Sequence, residues 1–364
     1  MNCYPAVARL TTLLNIRTPL IVPPMAGVSG GSLAAQVSNG GGFGFMSHVH
    51  LSELPAARSL LQPKVQESEM LPIGIGYLGW MLDKPNSKES ESVLKVTLAA
   101  NFQAHWFAFG NDLGKWIRYV RENTPQGGKS PLIFVQVNSI NEAVRAVEEF
   151  RADIIVAQGE FVIFPKAPAR PPIPTPFAFI GIEAGGHGGD YAPPLSELLK
   201  SILARFAGSP REPIVLAAGG LANGTDIGSL IAHGVAGAVL GTRFLLTPES
   251  KYTDAQKQAL KAARSEDAVR TMAFDYARGT TEWPKGVDGR GLRNDTVRDY
   301  EQGVSLDTIQ AKFKEGIQNQ DRQRFLVWAG TGVGHMDRIV PAKELVQELH
   351  EEIEQHLKTL EMVS

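Results

Sequence analysis

The chain has a single cysteine, Cys3, in 364 residues. That excludes a disulfide within the chain and a cysteine-built metal centre. Long apolar runs are missing too, since no segment approaches the roughly twenty apolar residues of a membrane helix. The opening residues, MNCYPAVARLTTLLN, are broken by Pro5 and Arg9, which argues against a secretory signal. Charge of one sign is scarce: 36 Lys+Arg against 38 Asp+Glu leave a net charge of -2. Neither a nucleic-acid footprint nor an electrostatic membrane anchor is expected from that balance. No G-x-S-x-G nucleophile elbow is present, and no G-x-G-x-x-G opens a helix after an early strand. The expectation is a soluble, intracellular (cytoplasmic) protein that acts on small molecules, with no metal, nucleic-acid or membrane partner.

Glycine and proline are plentiful, at 37 and 23. The glycines fall in short clusters just after apolar runs. Eight such runs recur: Pro19–Met25, Gly42–Ser47, Leu71–Tyr77, Ala104–Gly110, Pro131–Val137, Asp153–Gln158, Pro213–Ala218 and Ala236–Leu240. They are continuous rather than alternating, which is the mark of strands buried on both faces of a parallel sheet. Helix-period segments lie between most of them. Ser139 and Glu142 form a capping box before Ala143, Val144 and Val147. Asn223 caps a second segment that Gly234 stops.

Eight strands with helical crossovers predict an α/β fold, a (β/α)8 TIM barrel, better than an open doubly wound sheet. The eighth strand is not followed at once by its helix. A polar segment over 246–330, helical in composition, intervenes, and a clean amphipathic helix begins only at Pro341. The division expected is a barrel over 1–245 and 331–364, with a smaller helical cap or substrate domain over 246–330 above the barrel mouth. A proline-rich insert, residues 160–181, breaks the rhythm within the barrel.

Ligands of such barrels sit at the C-terminal strand ends, and phosphate often binds after strands seven and eight. Gly219-Gly220 and Gly241-Thr242 stand at both places. Their bare N–H groups suit a phosphate, with Arg243 a candidate counter-charge. The stretch GIEAGGHGGDY then places His187 among glycines at the catalytic face. Glu183 and His187 have i, i+4 spacing, but so many glycines make a helix, and therefore a metal pair, improbable. A histidine on a loop, with an ordinary pKa near about 6.5, is suited to taking a proton. His48, His50 and His105 are secondary candidates for the mouth, and Tyr77 for a pocket wall. Trp80, Trp106 and Trp116 read as core.

Several of these pieces occur in one order: Pro24-Met25-Ala26-Gly27-Val28-Ser29, IEAGGHG over 182–188, AAGGLANG over 217–224, GTRFLLT over 241–247, and W-P…D-G-R from Trp283 to Arg290. Together they resemble the nitronate monooxygenases, formerly 2-nitropropane dioxygenases. The resemblance implies an FMN-bearing barrel that oxidises alkyl nitronates, or nitroalkanes, with O2 to an aldehyde or ketone plus nitrite, without NAD(P)H. It implies His187 as the catalytic base. Gln158, Gly185, Gly219, Gly220, Gly241 and Thr242 match FMN-contacting positions, with the backbone of Met25 and Ala26 near the isoalloxazine. Two rival readings remain: an FMN-dependent enoyl-acyl-carrier-protein reductase, and a flavin-binding protein whose catalysis the insert has removed. Two departures from the family pattern stand out. Gly76 replaces an asparagine at the end of the third strand, and residues 160–181 interrupt an otherwise continuous Q-G-x-E-A-G-G-H. Deleting those residues is expected to preserve FMN binding and turnover.

Overall fold

A computed structural model describes residues 4–61, 70–125, 129–159 and 183–363; the 160–181 insert lies outside them. The strands, in chain order, are β1 (Leu20–Val22), β2 (Phe43–Ser47), β3 (Leu71–Leu78), β4 (Phe102–Ala108), β5 (Leu132–Val137), β6 (Ile154–Gln158), β7 (Gly186–Gly189), β8 (Ile214–Ala218), β9 (Gly237–Val239), β10 (Ala268–Thr271) and β11 (Val287–Leu292). A closed barrel runs β1-β2-β3-β4-β5-β6-β8-β9, with β9 pairing back on β1 in parallel. Each of the eight expected runs supplies one barrel strand.

Pleating sorts the side chains into two layers. Phe43, Phe45, Trp106, Phe134, Val156 and Leu216 point inward and pack together. Phe45 stands edge-on to Trp106 and Phe134 at 5.1 and 4.9 Å, so aromatic rings fill the barrel floor. The alternate residues, among them Ile73, Ile75, Tyr77, Phe107, Val135 and Ile155, join the larger outer core under the helices. Tyr77 therefore packs outward and is not a pocket wall. Its hydroxyl donates to Thr97 Oγ1 at 2.6 Å and meets His105 Nδ1 at 3.0 Å. His105 is buried with it, so the candidacy of His105 for the mouth is also corrected.

The N-caps form where expected, although the capping box at Ser139 is only half made, because the Glu142 carboxylate accepts from Asn138 N at 2.6 Å instead of from Ser139 N. Ser139 Oγ accepts from Glu142 N at 3.2 Å, and Asn223 Oδ1 from Asp226 N at 2.9 Å. The helix Ala342–Val363 buries Leu345, Val346, Leu349, Ile353 and Leu357. It packs on the helices Gly31–Gly40 and Gly224–Ala232 and so completes the outer ring.

The segment after β9 is not purely helical. It carries β10 and β11, which with β7 make a three-stranded antiparallel sheet of order β10-β11-β7. Among the described residues, no helix is long and apolar enough to cross a membrane.

Candidate functional site

One cavity of about 350 Å³ opens at the C-terminal ends of the barrel strands. That size suits a small-molecule or cofactor site. Met25, Ala26, Gln158, Gly185, His187, Gly219, Gly220, Gly241 and Thr242 all line it. Residues chosen from distant parts of the sequence thus meet around a single space. Arg243 does not line it. That guanidinium is buried and turned toward the side of Arg338, Glu348 and Glu352. His48 and His50 are likewise absent from the lining.

The glycine pair after β8 needs to be glycine. Gly219 and Gly220 have φ of 127° and 68°, in the left-handed region that side chains disfavour. A Cβ at Gly219 would stand 2.2 Å from the Gly159 carbonyl oxygen. Thr242 Oγ1, after β9, accepts the Gly330 N–H at 2.9 Å. Gly76 has a different reason to lack a side chain, because Pro24 Cγ would lie 2.1 Å from its Cβ. Proline from the β1 loop occupies the place an asparagine side chain would take.

His187 is not on a free loop, as the glycines suggested. It sits in β7, opposite Gly289 of β11. Glycine-rich sequence has little strand preference of its own, and the pairing comes from Asp288-Gly289-Arg290. The strand is fixed on the barrel side as well. Gln158 Nε2 donates to the His187 carbonyl at 3.1 Å, while Gln158 Oε1 accepts from Gln136 and Asn138 at 2.8 and 3.0 Å. Gln158 is a strut between the barrel and the histidine backbone.

The imidazole is gripped on three sides. Its ring stacks on Trp283 at 3.5 Å between centroids and meets Trp328 edge-on at 4.8 Å. Tyr252 holds Trp328 in turn, its hydroxyl accepting Trp328 N–H at 2.8 Å and donating to Trp328 O at 3.2 Å. His187 Nε2 lies 3.0 and 3.1 Å from the two oxygens of Asp275. Asp275 is fully buried in the helix Ala273–Arg278. Its Oδ1 also accepts from Arg278 Nη2, Thr280 Oγ1 and Trp283 Nε1 at 2.8, 2.9 and 3.1 Å.

Burial alone would push the Asp275 carboxyl up. The hydrogen bond from His187, together with the His187 and Arg278 charges, outweighs burial and holds it below the usual carboxylate range. Burial also pulls the His187 imidazole below its ordinary 6.5; Asp275 opposes that, and Arg278 and Arg270 add to it. An ionised Asp275 accepts a hydrogen bond from Nε2–H, which leaves Nδ1 as the nitrogen with the lone pair.

Sequence reasoning missed Asp275, Arg278, Trp80 and Trp328 as site residues, although all but Asp275 line the cavity. Trp80 faces Trp283 at 5.3 Å rather than sitting in the core. Nothing in AFDYAR sets a buried acid apart from a surface one. Glu183 does not line the cavity, and among the described residues no three His, Cys, Asp or Glu side chains gather into a metal site.

A closed parallel barrel with a gripped histidine at its ligand-binding face is the architecture of a (β/α)8-barrel enzyme. Comparison with known proteins narrows the class. The family model described as nitronate monooxygenase matches residues 177–352. A nitronate monooxygenase of Neurospora crassa is 29% identical, covering 95% of this chain and 92% of its own length. A second, from Metarhizium robertsii, is 28% identical over 96% and 95%. The chain is a homologue of the nitronate monooxygenases, an oxidoreductase family. Among solved structures, FabK from Thermotoga maritima superposes with a TM-score of 0.71 at 24% identity, over 98% of this chain and 99% of that one. Nitroalkane oxidase from Streptomyces ansochromogenes gives 0.70 at 24%, over 96% and 99%. At these identities the likeness speaks to the fold.

Proposed function

We propose that this protein is an FMN-dependent enzyme that oxidises alkyl nitronates, and nitroalkanes after deprotonation, to an aldehyde or ketone and nitrite with O2. The observation that carries the reading is the meeting of the nine residues in one cavity, with His187 backed by a buried carboxylate.

The cavity fits FMN by its backbone. Gly219, Gly220 and Gly241 bring backbone without side chains to the cavity where a terminal phosphate would lie, and an added Cβ at Gly219 would disrupt the cradle. The Thr242 hydroxyl accepts from Gly330 and keeps its own hydrogen for a phosphate oxygen. Pro23, Pro24, Met25 and Ala26 offer an apolar wall for the ring system. Bound FMN would supply the electron transfer between the nitronate carbon and O2. The chain's own part is positioning, exclusion of water and the proton. His187 Nδ1 takes the α-proton of a neutral nitroalkane, and Asp275 stabilises the imidazolium that results. The tryptophans keep the reacting carbon out of water.

Two measurements test this reading. Heat-released supernatant shows FMN on chromatography; FAD, or no flavin after supplementation, overturns it. Anaerobic titration with a nitronate bleaches the bound flavin, whereas NAD(P)H alone does not. Bleaching by NAD(P)H would transfer the case to the reductase alternative.

Gly219→Ala is the direct test of the cradle. A side chain at φ 127° costs about 1–3 kcal/mol in backbone strain, and its Cβ would stand 2.2 Å from the Gly159 carbonyl oxygen. FMN affinity is expected to fall roughly tenfold or more, read by flavin fluorescence on titration. Unchanged affinity would remove the phosphate from this end of the barrel.

The pH dependence follows from the His187 shift. The base is neutral above its pKa and lost as pH falls through it. Because burial sets that value below 6.5, turnover of neutral nitroalkanes is expected to hold to a more acidic pH than an ordinary histidine would allow. A half-maximal rate above pH 6.5 in kcat/KM contradicts this assignment.

A further inference from the structure

Among the described residues that line the cavity, Arg278 is the only lysine, arginine, aspartate or glutamate. The same cavity wall carries the rings of Trp80, Phe109, Trp283 and Trp328. Arg278 is 30% exposed and stands over Trp328 at 5.5 Å. Nη2 bonds Asp275 at 2.8 Å and Nε bonds Phe274 O at 3.3 Å, which leaves Nη1 uncommitted among the described residues. Arg278 Nη2 and His187 Nε2 bond the same oxygen, Asp275 Oδ1, at 2.8 and 3.1 Å. The two cation-forming groups are therefore close neighbours on one wall.

Resting on the function proposed above, we infer that Arg278 and His187 together form a binding site for a small planar oxyanion. The ligand class includes the O–N–O head of a nitronate and the product nitrite, and the anion enters with a proton that settles on His187. The uncommitted Arg278 Nη1 offers one charge-assisted donor to such an anion and the protonated His187 Nδ1 the other, so two coplanar oxygens are met from one wall.

Charge balance requires the proton. In the free site Asp275 and Arg278 cancel and His187 is neutral. An added anion leaves one uncompensated negative charge in a largely apolar space, which is costly. Protonating His187 restores neutrality, with the imidazolium between Asp275 and the anion. The other charges near the imidazole are already paired: Arg270 bonds the Gly188 carbonyl and pairs with Asp288, with Asp190 beyond it. Gln158 and the β7 glycines, on the barrel side, carry none. The same balance holds when His187 takes its proton from a neutral nitroalkane, so the site accepts either route to one state: imidazolium plus anion.

The signs are fixed by linkage. Below the free-site pKa of His187 the proton is already present, and the anion binds most tightly without uptake. Above it, affinity falls roughly tenfold per pH unit with uptake of about one proton, until the anion-bound pKa is passed. Nitrate is the probe, because it is planar and does not titrate in this range.

Isothermal titration of the holoenzyme with nitrate, in buffers of different ionisation enthalpy, reads proton uptake directly and needs no turnover. Expected are uptake approaching one proton near neutral pH, competition with nitronate, and at least a tenfold loss of nitrate affinity in Arg278→Met. Arg278→Lys recovers part of that loss, which separates charge from packing, and His187→Asn binds nitrate weakly with no uptake. The inference is overturned by nitrate binding with no proton uptake and a flat pH profile, or by Arg278→Met binding nitrate as the parent does. Failure of the function itself reads differently, as an absence of nitronate oxidation alongside proton-coupled nitrate binding.

Discussion

Replacing His187 with asparagine lowers turnover of neutral nitroalkanes by about 10²–10⁴-fold, the usual contribution of a positioned base. Preformed nitronates keep most of their kcat, because their proton has already gone. Their KM rises, since asparagine cannot become cationic beside Arg278. Steady-state kinetics on one nitroalkane in its neutral and anionic forms separates the two effects. Equal loss of kcat on both forms would show that His187 serves in positioning rather than as a base. Stability should change little by comparison. His187 is a guest in a wall made by Trp283 and Trp328, and an asparagine at β7 keeps the backbone bonds to β11 and Gln158.

Legibility in the sequence followed the range of the physics. The eight barrel strands could be read because each buries both faces and so needs an unbroken apolar run ended by a turn. Ser139 and Asn223 announced their helices because a cap is a contact between near neighbours in the chain. The cavity-lining glycines were legible because backbone freedom is needed at one known place in the fold. What failed was information carried by pairing across distance. β7 is four residues of glycine and histidine, and it becomes a strand only because β11, about a hundred residues later, lies beside it. Tyr77 was given to the pocket since the end of a strand says nothing about which face a residue takes. Gly76 and Leu78 point inward there, and Tyr77 between them cannot. Asp275 had no local signature at all, and its role exists only once Arg278, Thr280, Trp283 and His187 converge on its carboxylate.

That convergence makes Asp275→Asn the most damaging single change expected. His187 Nε2 lies nearest Oδ2, at 3.0 Å, while Oδ1 accepts from Arg278, Thr280 and Trp283. An asparagine must place its oxygen there to satisfy the last three, which turns its NH2 toward His187. A donor opposite Nε2 forces that nitrogen to be the acceptor, so the ring proton moves to Nδ1. The nitrogen left for substrate is then the one that cannot take a proton. Turnover of neutral nitroalkanes falls about as far as in His187→Asn, by about 10²–10⁴-fold. Arg278 also loses its countercharge beside Trp328, and because that guanidinium is partly exposed, the stability lost is smaller than for a fully buried pair. Thermal melting reads the second effect and kinetics the first, so each can be judged alone. The double variant decides whether they are linked. If Asp275 works through His187, adding Asp275→Asn to His187→Asn lowers the melting temperature further but leaves nitroalkane turnover where His187→Asn put it. Multiplying losses in turnover would mean that the carboxylate acts on the substrate by its own route, and the assignment of Nδ1 as the base would fall with it.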